Sequence, residues 1–114
     1  MGLLSWFQSL FSTRAKALSM YRSGVAKANK KDYQGAIADY SEAIGSADIP
    51  TDVKGMALYN RALAYAAIED DVKAAADLAA MLKIPGLPEN IVTQARRRRE
   101  RLRRRSGDEG NGGS

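Results

Sequence analysis

Neither cysteine nor histidine occurs in the 114 residues. Without cysteine there are no disulfides and no thiolate metal ligands. Without histidine the chain lacks the side chain that titrates nearest neutral pH and the commonest transition-metal ligand. No Gly-rich phosphate loop is present either, which leaves carboxylates, Lys, Tyr and Ser for any chemistry. The densest acidic cluster, Glu69-Asp70-Asp71, precedes an apolar helical pattern. There, carboxylates cap free N–H groups and oppose the helix dipole. No partner base or metal geometry accompanies the cluster. The expectation is a protein without catalytic residues, cofactor, metal or small-molecule substrate.

Long apolar runs are also missing. The longest is Ala62 to Ile68, seven residues, far short of the roughly 18–20 of a spanning helix. A cytoplasmic protein is expected, with peripheral membrane attachment as the alternative. Length fits one small domain with little core to spare. The net charge of +5 is local in origin. Residues 1–95 hold 10 Lys+Arg and 10 Asp+Glu, whereas residues 96–105 hold 8 Arg and one Glu.

What is present is helical periodicity. Leu18, Tyr21 or Arg22, Val25 and Ala28 follow three-and-four spacing, and so do Ala36, Ile37, Tyr40, Ala43 and Ile44. Asn29-Lys30-Lys31-Asp32 breaks the pattern, with Asp32 placed to cap the second helix. Gly24 lies mid-helix, at a cost of about 1 kcal/mol relative to Ala. That cost is understandable if a neighbouring helix approaches there over Ala36 or Ala43, with Tyr33 and Tyr40 filling larger gaps. A second copy runs from Gly55 to Leu82, 38 residues on from Ala17.

Gly24, Ala26, Asp32-Tyr33, Ala36-Ile37, Tyr40 and Ala43-Ile44 resemble the tetratricopeptide repeat. In the second copy Leu58, Ala62, Ala64-Tyr65, Asp70, Ala74, Leu78 and Leu82 take the matching places. Asp71 stands where Tyr33 stood, Ala75 replaces Ile37 and Met81 replaces Ala43. Lys27 departs from the aromatic that the family places where Tyr65 sits. The offset exceeds the family's roughly 34 residues; a longer third helix, taking up residues near Gly45 to Thr51, would absorb the extra four. The resemblance covers about residues 17–86. It implies an all-α fold of antiparallel hairpins stacked as a short right-handed superhelix, closed by a capping helix at residues 89–95.

The same resemblance implies a peptide-binding groove along the first helix of each hairpin. The matching positions are Leu18, Tyr21, Arg22 and Val25, then Met56, Tyr59, Asn60 and Leu63. Family members that clamp a C-terminal carboxylate use a Lys, Asn and Arg set, of which only Asn60 is matched; Tyr21, Val25, Glu89 and Thr93 do not supply the rest. An apolar groove for a helix or extended segment is therefore expected.

The chain divides into residues 1–13, an amphipathic N-terminal helix; 14–95, the helical repeats; 96–105, an Arg-rich extension; and 106–114, a Gly-rich polar tail expected to be disordered. In the first segment Leu3, Leu4, Phe7, Leu10 and Phe11 share an apolar side, with Trp6 at its border. This segment suits a membrane interface or the protein's own groove. It lacks the leading positive charge of a signal peptide, and Trp6 occupies the position where myristoylation wants Ser or Thr.

In the extension, Arg96, Arg97, Arg98, Arg99, Arg101, Arg103, Arg104 and Arg105 point in every direction at 100° per residue. Ile91, Ala95 and Leu102 give the last helix an apolar stripe, with Val92 beside it, dense only up to Ala95; beyond it no single buried face is expected. Guanidinium groups fork onto phosphates, so nucleic acid or an anionic membrane surface is a natural partner, with steep salt dependence; an acidic protein surface would serve as well. No interleaved aromatic offers base stacking. The leading expectation is a protein- or peptide-binding adaptor. The alternatives are a nucleic-acid-associated protein, a peripheral membrane adaptor, and self-association through the ends of the stack.

Overall fold

The computed structural model describes the backbone of residues 2–112 and the side chains of residues 13–107. Five helices follow one another: α1 (Gly2–Asn29), α2 (Tyr33–Ile44), α3 (Thr51–Ala67), α4 (Asp71–Leu82) and α5 (Glu89–Gly112). The fold is all-α. α1 packs on α2 and α3 on α4 as hairpins, α2 lies against α3, and α5 lies against α4.

The 38-residue offset holds at the level of single hydrogen bonds. Lys31 and Glu69 both take left-handed backbone, at φ 66° and 65°. Each is followed by an N-cap aspartate: Asp32 accepts from the Gly35 N–H at 3.0 Å, and Asp70 accepts from the Lys73 N–H at 3.2 Å. The Asp32 and Asp70 N–H groups close the two turns onto the carbonyls of Lys27 and Tyr65. Such capping satisfies orphan donors at the start of α2 and α4. One turn chemistry thus folds both hairpins. α3 starts at Thr51, four residues before Gly55, and α5 starts 38 residues further on, at Glu89.

Buried aspartates repeat as well. Asp39 on α2 accepts from Ser23 Oγ at 2.5 Å and pairs with Lys27 Nζ at 3.0 Å. Its counterpart Asp77 on α4 takes a bidentate fork from Arg61, Nε and Nη2 each at 2.7 Å. Arg61 also donates to Ser41 Oγ at 3.0 Å, and Ser41 donates on to the Ile37 carbonyl at 2.7 Å. The fork ties α3 to α4 and reaches α2, so it joins the two hairpins. Removing one partner of such a buried pair costs about 3–5 kcal/mol, because the other charge stays desolvated.

The core runs between the hairpins and under α5. It contains Leu58, Tyr59, Ala62, Ala74, Leu78, Met81, Ala95 and Leu102. Gly24 serves a closer approach than the spacing implied, and against a different neighbour. A Cβ there would lie 2.6 Å from Tyr40 Cε1, so the glycine makes room for the buried tyrosine ring and not for Ala36 or Ala43. Tyr40 is a core residue, while Tyr33 is only half-buried.

Three sequence expectations are corrected. The Arg-rich stretch does have a buried face: Leu102 is 7% exposed and belongs to the core. It lies seven residues from Ala95, hence on the same side of α5; arginines on either flank do not prevent one leucine from docking. The helix also does not stop at Arg105, since α5 continues to Gly112. Finally, residues 2–12 do not form a separate helix. They continue α1, and a segment in line with α1 cannot fold back onto α1's own face. The expected contacts of Leu3, Leu4, Trp6, Phe7, Leu10 and Phe11 lie outside the described side chains. Among the described residues no helix is long and apolar enough to cross a membrane.

Candidate functional site

α1, α3 and α5 carry the side chains singled out from the sequence, and two of these helices are joined directly. Asn60 Nδ2 donates to the Tyr21 hydroxyl at 3.1 Å, bridging α3 and α1. Burial pushes the Tyr21 phenol above its ordinary value, opposed by the Asn60 hydrogen bond, so the hydroxyl stays neutral and available as a donor. Leu18, Val25, Met56 and Leu63 are half-buried, and Arg22 is exposed. The half-buried state of four apolar side chains matters more than their number. Water still reaches them, and covering them yields roughly 25 cal/mol per Å² removed from solvent.

Tyr59 departs from its expected role. It is buried in the core, and its hydroxyl donates to Gln94 Oε1 at 3.0 Å while accepting from Arg98 Nε at 3.3 Å. It therefore fastens α5 to α3 and is not an open groove position. Tyr59 and Asn60 are neighbours in sequence but face different helices, Tyr59 towards α5 and Asn60 towards α1, which spacing alone does not reveal.

The arginines separate into groups. Arg103 and Arg104 reach Glu100 at 3.7 and 3.6 Å from exposed positions, contacts worth only a few tenths of a kcal/mol. Arg105 Nη1 reaches Asp71 Oδ2 at 3.4 Å. For Arg96, Arg97, Arg99 and Arg101 no carboxylate partner occurs among the described residues.

Arg98, Arg101 and Arg105 come together. With Ala62, Leu63, Ala66, Leu78 and Leu102 they line a recess of about 70 Å³ between α3, α4 and α5. Its floor is aliphatic and its rim is cationic. Leu63 belongs both to this recess and to the α1–α3 face, so the two are continuous. The sequence carried a signal for the recess in the three- and four-residue steps from 98 to 101 to 105, which follow one side of α5. Eight arginines within ten residues hid that signal, since they point in every helical direction.

Among the described residues no aromatic is free to stack a base at this rim. Tyr59 is buried, and the Tyr65 ring has the Arg61 guanidinium and the Lys73 ammonium each 5.7 Å from its centroid. No protein-family model matches the chain, and comparison with curated proteins and with solved structures gives no significant match.

Proposed function

We propose that this protein is a protein-interaction module: a short array of tetratricopeptide-like hairpins, stacked as a right-handed superhelix, that presents the α1–α3 face to a peptide or helix of a partner. The reading rests above all on the Tyr21–Asn60 hydrogen bond. It locks α1 and α3 side by side while Leu18, Val25, Met56 and Leu63 stay only half-buried. A rigid, partly apolar surface with polar groups at fixed places is what a docked helix or strand requires. The repeated turns and buried aspartates support the reading, because they give both hairpins one geometry and so one continuous face.

The test is selection of a random peptide library displayed on phage against the full chain. Enriched peptides should bind the purified protein and lose at least tenfold in affinity on Val25→Lys combined with Met56→Lys, with the helical content of the variant unchanged. Failure to enrich any sequence, or enriched peptides indifferent to both substitutions, would refute the proposal.

A further inference from the structure

The recess beside Leu63 adds a chemistry that an apolar face alone does not have. Arg98 donates to the Tyr59 hydroxyl and has no carboxylate partner among the described residues, so its charge is not balanced. Arg101 faces no carboxylate among the described residues. Arg105 is balanced weakly: 3.4 Å to Asp71 Oδ2 is long beside the roughly 2.7–2.9 Å of a charge-assisted bond. The second oxygen of that carboxylate, Asp71 Oδ1, is buried without a hydrogen-bond partner. Three guanidinium groups of α5 thus flank an aliphatic floor, and only Arg105 has a carboxylate within reach.

We infer that this recess takes an acidic amphipathic segment of a partner protein. One aliphatic side chain enters between Leu63, Ala66 and Leu102, and flanking carboxylates meet Arg98, Arg101 and Arg105. The inference rests on the interaction-module reading and specifies the chemistry of the partner.

The aliphatic floor and the charge pattern favour an acidic peptide over nucleic acid. At about 70 Å³ the recess, open to solvent on one side, admits an aliphatic tip such as a leucine's. An aliphatic floor offers nothing to a sugar or phosphate. Glu100 sits on the same helix and Asp71 touches Arg105; both repel a continuous phosphate chain, whereas a peptide can place discrete carboxylates clear of them. Asp71 competes with the ligand for Arg105. Neutralising it frees a guanidinium for the partner.

The experiment is a fluorescence-anisotropy titration of the full chain with three labelled probes at two salt concentrations. The probes are a helical peptide with leucines on one face and glutamates on the other, the same peptide with serine for leucine, and a single-stranded uridine oligonucleotide. The leucine–glutamate peptide should bind saturably and more weakly at high salt. Arg101→Glu should weaken it about tenfold and Asp71→Asn should strengthen it about threefold, rim charges acting mainly through such electrostatic steps. The serine peptide should lose binding. Equal binding of the leucine and serine peptides, indifference to Arg101→Glu, or displacement of the peptide by stoichiometric oligonucleotide would overturn the inference. If library-selected neutral peptides bind the α1–α3 face while the acidic peptide does not bind, this inference falls and the interaction-module reading stands. If neither binds, both fall.

Discussion

Single residues decide how closely α1 and α2 approach. Hairpin one pairs Gly24 with Tyr40, and hairpin two places Ala62 and Leu78 at the corresponding positions in the core. Gly24→Ala should therefore destabilise by up to about 2 kcal/mol in thermal or denaturant unfolding: overpacking costs ~1–3 kcal/mol, and better helix propensity returns about 1. Adding Tyr40→Leu recreates the second hairpin's pair, so the double variant should lose less than the two single losses combined; strict additivity would contradict the packing. Asp39 supplies a pH test. The Ser23 hydrogen bond holds its carboxyl below the ordinary range, against the opposing effect of burial and with help from Lys27. A lowered folded-state value stabilises above the unfolded value near 3.9 and is lost as pH falls through the folded one. Ser23→Ala should thus cost about 1–2 kcal/mol at pH 7, and the gap to the parent chain should close below about pH 4. A gap constant from pH 7 to pH 3 would show that the hydroxyl does not act through the carboxylate. Much of this scale was legible in the sequence: Asp32 and the Asp70 cluster read as caps from position alone. That Gly24 faces Tyr40 was not, because spacing gives the side of a helix and not which residue of the next helix arrives there.

Among the helices, α5 is where sequence and structure part. Leu102 was readable as the end of a thinning apolar stripe, but the arginines around it hid that it anchors the helix to the core. Leu102→Ala should cost about 2 kcal/mol, the low end for a buried leucine, whereas Arg97→Ala should stay within about 0.5 kcal/mol. Chemical denaturation of the two variants checks this, and equal effects would mean that the arginine stretch does not pack on α4. The repeat offset was readable from residues 17 and 55, and the helix boundaries follow it through Lys31 and Glu69. The recess was not readable, since it needs three helices to meet. Only the geometry separates Arg98, Arg101 and Arg105 from their exposed neighbours, and only the geometry shows that Tyr59 belongs to the core.

The whole molecule is an all-α pair of hairpins with a long fifth helix, near neutral in net charge up to residue 95 and strongly basic from there to residue 105. The basic end is not independent of the hairpins. Tyr59, Gln94 and Arg98 tie α5 to α3, so the cationic rim is held at a fixed place beside Leu63. On the proposed reading the apolar face and the arginines form one surface, with affinity drawn from the first and charge selectivity from the second. Amide chemical-shift mapping of the full chain with the leucine–glutamate peptide tests that unity. The amides of Leu63, Ala66, Arg98 and Arg101 should shift together, saturating at one common concentration. Shifts confined to the arginine stretch, with Leu63 and Ala66 unmoved, would contradict it.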